Sequence, residues 1–177
     1  MERVNPEPIM ASRDKIWEFA ENVATKLSFS SGAPIEPFVF HLGGRIVYKN
    51  AISGAPAPES IEIRTRNDFT IYLPTLTSPA RDRFTIAHEL GHLFLHYLAA
   101  MKRNKDIIMV AYRWVDANDP QQQRAEWEAN WFAAAFLMPQ EKFKSAFDAK
   151  DINDVAQLFA VTVHAANVRA KSLGLVR

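Results

Sequence analysis

Residues 88–92 read His-Glu-Leu-Gly-His, two imidazoles four positions apart with a carboxylate next to the first. On a helix, His88 and His92 stand about 40° apart around the axis and one turn above each other, on a shared face. Two imidazoles so placed reach one zinc ion at about 2.0–2.1 Å. Glu89 stands about 100° around from His88, on the flank of that face. There it acts as general base on a metal-activated water and is not itself a ligand. The other side of the helix is apolar, with Ile86, Leu90, Leu93, Phe94 and Tyr97.

A hydrolytic zinc takes three protein ligands and leaves one position for water. The chain has no cysteine, so the third ligand is a His or a carboxylate. Six residues after His92 stands Leu98, which rules out a third histidine at that spacing. The carboxylates of Glu126-Trp127-Glu128-Ala129-Asn130 are the remaining source. Glu126 and Glu128 point about 200° apart on a helix, so only one faces the metal. Glu126 shares its face with Asn130, Ala133 and Leu137, where small residues let this helix approach Gly91 on the first. Glu128 follows Arg124 at i+4 and reads as a surface ion pair. The face argument favours Glu126, with Glu128 as the alternative. Asn130, one turn after Glu126, is placed to accept the Nδ1–H of a zinc histidine.

These side chains need two long helices to hold them. Ser78 as N-cap and Pro79 at the first position open one, predicted to run to about Ala100. The other is predicted from Pro120 to Met138, stopped by Pro139, and shorter helices follow. Ahead of them, Ser12–Leu27 carries apolar residues at helical spacing. Phe38–Leu42, Gly43-Gly44 and Arg45–Lys49 read as a hairpin, with His41 a strand side chain. Ser53–Pro58 reads as loop. Ser60–Arg64 and Phe69–Leu73 alternate around the turn at Arg66-Asn67-Asp68. Lys102–Asp119 gets no firm assignment and reads as a lid or a surface connection. Strands first and helices after give an α+β fold with a small antiparallel or mixed sheet.

Composition sets the wider limits. The 177 residues are 48% apolar and 23% charged, an ordinary globular make-up. A formal net charge of +1 gives no overall field toward nucleic acid or an anionic membrane. The longest apolar stretch, Trp131–Met138, is too short to span a bilayer, and the first ten residues do not resemble a secretion signal. The expected setting is soluble and cytoplasmic.

At this point the sequence resembles the ImmA/IrrE family of zinc metallopeptidases, within the gluzincin group. The resemblance rests on Arg83–His92, on Leu93–His96 and on Glu126-x-Glu128-Ala129-Asn130-x-Phe132-Ala133-Ala134-x-Phe136-Leu137-Met138-Pro139. It extends to Val155-Ala156-x-x-Phe159-x-Val161-Thr162 and Leu173-Gly174-Leu175, and covers roughly residues 35–177. Phe136 stands where the family more often has Leu. The resemblance implies a zincin-like helical core, zinc on His88, His92 and the Glu of the second motif, and a catalytic Glu89. Gluzincins generally place an Asp four residues after the ligand Glu; here that residue is Asn130. The family further implies cleavage of a transcriptional repressor, here a separate protein encoded nearby. One metallopeptidase domain is expected over 1–177: an N-terminal helix and linker (1–34), a small sheet (35–75), zinc-binding helices (78–138) and a C-terminal helical segment (139–177).

Other residues get smaller roles. Tyr72, Tyr112, Arg113 and His164 are candidates for a second electrophile. Substrate backbone is expected to pair with a free sheet edge at Phe69–Leu73. His96 continues the i, i+4 series, but it lies about 12 Å along the axis from His88, too far to share an ion. It reads as a supporting or packing residue, and Met138 reads as core. Two rival functions stand beside the peptidase. One is a catalytically silent, zinc-held, antitoxin-like binding protein, which the intact Glu89 argues against. The other is a DNA-binding regulator using a helix-turn-helix-like segment from Val155 through Arg169 and Lys171. Its few cations and the balanced overall charge argue against that.

Overall fold

Residues 1–50, 58–114, 116 and 118–175 are described by a computed structural model. The chain opens with strand β1 (Glu2–Val4) and helix α1 (Arg13–Lys26), whose N-cap Ser12 accepts from the Lys15 N–H. Helix α2 (Glu36–His41) and strands β2 (Gly44–Tyr48), β3 (Glu59–Thr65) and β4 (Asp68–Leu73) follow. Helix α3 (Pro79–Gly91) passes through a π-helical turn, His92–Tyr97, into α4 (Leu98–Arg103). Strand β5 (Ile107–Tyr112) and helices α5 (Pro120–Leu137), α6 (Gln140–Ala149), α7 (Ile152–Phe159) and α8 (Val163–Ser172) complete it. The class is α+β, and the sheet is mixed.

Caps fall where residue types place them. Ser78 accepts from the Arg81 N–H and Pro79 takes the first helical position. Asp119 caps α5 through the Gln121 and Gln122 N–H groups. The single long helix expected from Pro79 is instead interrupted by the π turn after Gly91. Such turns are rare and concentrate at functional sites.

The hairpin at Gly43-Gly44 does not form. Pro37 lies in the first turn of α2, where a missing N–H is harmless, and the Leu42 N–H closes on Phe38 O at 3.1 Å. Gly43 then ends that helix at φ +86°, where an added Cβ would lie 2.0 Å from Asn67 O. Gly44 starts β2, which runs parallel to β4 from Gly44↔Phe69 to Tyr48↔Leu73. His41 is therefore an exposed helix residue, not a strand residue.

The sheet order is β1-β5-β3-β4-β2. Two consequences bear on the site. Phe69–Leu73 is interior, between β3 and β2, so it offers no free edge. The unassigned segment Lys102–Asp119 holds β5, the partner of both β1 and β3, rather than a lid or a simple connection. Its run Ile-Ile-Met-Val-Ala-Tyr is apolar and short, the pattern of a buried strand. The expected loop over Ser53–Pro58 falls outside the described residues except for Pro58.

The sheet's buried side chains include Ile61, Ile63, Phe69, Ile71, Leu73 and Met109. Among the helices, α5 packs against α1 and α3. A phenylalanine stack binds this layer: Phe29 lies 4.5 Å from Phe136, and Phe132 5.6 Å from it, centroid to centroid. Met138 is fully buried. No helix among the described residues is long and apolar enough to cross a membrane.

Candidate metal centre

The site lies where α3 crosses α5. Gly91 makes the crossing possible: a Cβ there would lie 3.0 Å from Ala129 Cα and 3.2 Å from its carbonyl oxygen. The small-residue face expected on the second helix is therefore the face that meets the first. This brings Glu126 to the histidines and turns Glu128 away from them.

His88 Nε2 lies 3.1 Å from His92 Nε2 and 3.1 Å from Glu126 Oε2, while His92 Nε2 lies 3.3 Å from Glu126 Oε1. The three ligand atoms all lie within 4.8 Å of one another. A tetrahedral ion at about 2.05 Å from each donor would separate its ligands by about 3.3 Å. The triangle therefore has the size that a zinc ion requires.

Hydrogen-bond partners fix which atoms carry protons. Asn130 Oδ1, an acceptor, lies 3.0 Å from His88 Nδ1, so that nitrogen carries a proton and Nε2 is the atom turned toward Glu126. Glu128 Oε2 lies 3.1 Å from His96 Nε2 and also accepts the Ile9 N–H at 2.8 Å; Glu128 Oε1 accepts from Arg124 Nε at 3.1 Å. This carboxylate is an acceptor throughout, so His96 donates from Nε2. With its proton on Nε2, His96 presents Nδ1 as an acceptor 3.0 Å from His92 Nδ1, which donates to it. His92 Nε2 is thereby left bare. Two imidazole nitrogens and a carboxylate thus converge on one point, where a proton shared by His88 and Glu126, or a metal ion in its place, offsets their mutual repulsion.

Electrostatics point the same way. Burial works to lower the His88 pKa, but hydrogen bonding to Glu126 and the nearby carboxylates outweigh it and hold it up at about 9. Burial pushes His92 down to about 4, against the pull of Glu126. Glu126 is held far below the usual carboxylate range, because its bonds to both histidines outweigh desolvation. The cluster draws in one positive charge.

Glu89 is buried beside this point, outside the triangle. Burial pushes its pKa up to about 7, against the field of His88, and Glu126 adds to the rise. Ser60 Oγ donates to its Oε2 at 3.2 Å. A cleft of about 200 Å³ opens here, lined by Ser60, Tyr72, Tyr112 and Arg113 together with His88, Glu89 and Glu126. Three of the four candidate electrophiles thus border the cleft, and His164 lines a neighbouring cavity instead.

Sequence reasoning misread Glu128 and missed Ser60, whereas His96 takes the supporting place expected of it. Glu128 does pair with Arg124, but it is fully buried and not a surface ion pair. Its signal lay in spacing: Glu128 stands three residues after Ala125 and four before Phe132, both buried. His96 proves to be the link between His92 and Glu128. Ser60, on β3, has no local signal, since the fold alone brings it to Glu89. At the C-terminus, α7 and α8 do meet through a left-handed Ala160 at φ 52°, but Arg169 is buried and cannot face DNA.

The sequence model described as Peptidase_M78, IrrE N-terminal-like domain, matches residues 63–171. No curated protein matches the chain. Among solved structures, a Mycobacterium tuberculosis transcriptional regulator superposes with a TM-score of 0.58 at 18% identity, over 89% of this chain. The chain spans 55% of that regulator's length, so the likeness concerns the fold.

Proposed function

Since the chain belongs to the Peptidase_M78 family of IrrE N-terminal-like domains, we propose that it is a zinc-dependent endopeptidase whose substrate is a repressor-like regulatory protein. The observation that carries this reading is the convergence of three ligand atoms of His88, His92 and Glu126, with Glu89 buried beside them. In this reading His88, His92 and Glu126 hold the ion, Asn130 orients His88, and Glu89 is catalytic.

A bound zinc supplies Lewis acidity, which lowers the pKa of a water toward about 7 and polarises the scissile carbonyl. Glu89 takes the proton from the attacking water and delivers it to the leaving amine nitrogen. Its elevated pKa suits both halves of that transfer. Ser60 Oγ holds the carboxylate in position. An extended substrate adds to the sheet along β5, because β1 pairs only with Ile107–Met109 and, among the described residues, no strand covers Val110–Tyr112 on that side. Trp114, exposed beside Glu126, lines the groove that runs along this edge. We further place the activity in the cytoplasm and in one unit spanning residues 1–177.

The test compares purified wild-type, Glu126→Ala and Glu89→Gln proteins for zinc content and for cleavage of a peptide library read by mass spectrometry. Wild type is expected to hold one zinc and cleave; Glu126→Ala to lose both; Glu89→Gln to keep zinc and lose activity by about 10²–10⁴-fold. Full cleavage by Glu89→Gln would overturn the mechanism. A wild type that holds zinc and cleaves nothing would favour the silent, zinc-held binding protein.

A further inference from the structure

Next to the metal cleft lies a second and larger cavity, of about 750 Å³, bordered by α1, α3, α5 and α8. Phe84, Thr85 and Asn130 line both. The cationic side chains Arg13, Arg81 and Arg169 line this cavity together with His164, and among the described residues its lining holds no carboxylate. Arg169 is 1% exposed, yet its Nη1 and Nη2 have no hydrogen-bond partner among the described residues; only its Nε is used, donating to Met138 O at 3.1 Å. Glu21 stands 3.7 Å from Nη2, beyond hydrogen-bond reach, and its Oε1 already accepts the Gln140 N–H at 2.7 Å. Trp17 Nε1, also buried, has no partner either. The guanidinium carbons of Arg13 and Arg169 lie over the Trp17 ring at 4.5 and 4.4 Å from its centroid. Arg13 has a loose contact with Asp14 at 3.5 Å and is half exposed.

Buried polar groups in folded proteins almost always find a partner, and each exception calls for a reason. Here every exception in the cavity wall is a donor, two of the three on the positively charged Arg169 and one on the neutral Trp17 indole, and a roomy pocket with aromatic walls adjoins them. A pocket of this size, apolar with a few convergent polar groups, is the usual form of a small-molecule site. Burial pushes Arg169 down to about 10, with Glu21 opposing and Arg13 adding to the fall, so it stays charged at neutral pH.

We propose that this cavity binds a small organic anion, a carboxylate or phosphate on a flat apolar body, held by Arg169 and Trp17 Nε1. Arg13 and Arg81 supply further positive charge at the more exposed side. The ligand would border Asn130, the residue bonded to His88, without touching the metal ligands themselves.

The test is calorimetric titration of the full chain with phenyl phosphate, using benzamide as the neutral control, before and after zinc is removed by chelation. One equivalent of phenyl phosphate is expected to bind with the same affinity in both states, and benzamide not to bind. Arg169→Met is expected to weaken binding at least tenfold. Because that position is buried, Arg13→Gln and Arg81→Gln, both nearer solvent, test the charge independently and are each expected to weaken it about threefold. Equal affinity across all variants, equal binding of benzamide, or binding lost with the zinc would each overturn the proposal. Displacement of phenyl phosphate by a Glu-containing peptide would assign the site to a substrate side chain and overturn the free-ligand reading. None of these readouts depends on peptidase activity.

Discussion

Glu128 Oε2 lies 3.1 Å from His96 Nε2, and neither side chain is exposed to solvent. This buried pair lies one residue removed from the metal triangle, yet it sets the proton on His92. Partners of this kind orient metal ligands, and their loss typically weakens metal binding 10–100-fold.

Glu128→Gln tests the relay directly. A carboxamide that donates to His96 Nε2 moves the His96 proton to Nδ1, which in turn moves the His92 proton to Nε2, where a metal would bind. Zinc affinity, measured by competition with a chromophoric chelator, should fall about 10–100-fold in Glu128→Gln and in His96→Ala. Glu128→Ala should also destabilise the fold by about 3–5 kcal/mol, because it leaves Arg124 and His96 without their common partner. Unchanged zinc affinity in all three variants would remove the relay from the account.

Gly91→Ala sets helix propensity against packing. Alanine favours a helix interior by about 1 kcal/mol over glycine. Its Cβ, however, would meet Ala129 Cα at 3.0 Å, and backbone cannot yield as a flexible side chain can. Overpacking costs about 1–3 kcal/mol. A net loss near 1 kcal/mol in urea unfolding is expected, together with weaker zinc binding, because His92 is the next residue. A variant more stable than wild type would mean that the crossing is looser than described.

Gly43→Ala should be worse tolerated, although it lies outside the site. The left-handed conformation costs a non-glycine residue about 1–2 kcal/mol. The Cβ would also lie 2.0 Å from Asn67 O, which forces α2 away from the β3–β4 turn. Thermal unfolding should register a loss above about 2 kcal/mol; a loss under about 1 kcal/mol would contradict the close approach.

Ser60→Ala removes the hydroxyl that donates to Glu89. Hydrogen bonds to charged groups contribute about 1.5–3 kcal/mol. On the proposed mechanism, kcat should drop about tenfold with KM and zinc content unchanged. A change confined to KM would instead make Ser60 a substrate contact.

Local chemistry was legible wherever a residue's role depends on its own helix. Spacing of 88, 89 and 92, the cap at Ser78, and the face that carries Glu126 and Asn130 all follow from local helix geometry. The interrupted helix was not legible, since nothing in Leu93–Tyr97 marks a π turn. Nor was the Gly43-Gly44 region, where a short apolar run with two glycines suits a hairpin or a helix end equally well. The fold decided it through the contact with Asn67.

Helix periodicity is a local property of the chain, so it alone put His88 and His92 on one face and favoured Glu126 over Glu128. It took the packed fold to bury Glu128 against His96, bring Ser60 to Glu89, place Phe69–Leu73 inside the sheet and set Arg169 at the border of a cavity. Each of these depends on contacts between segments distant in sequence, and no local spacing encodes which of two opposite faces another element will cover.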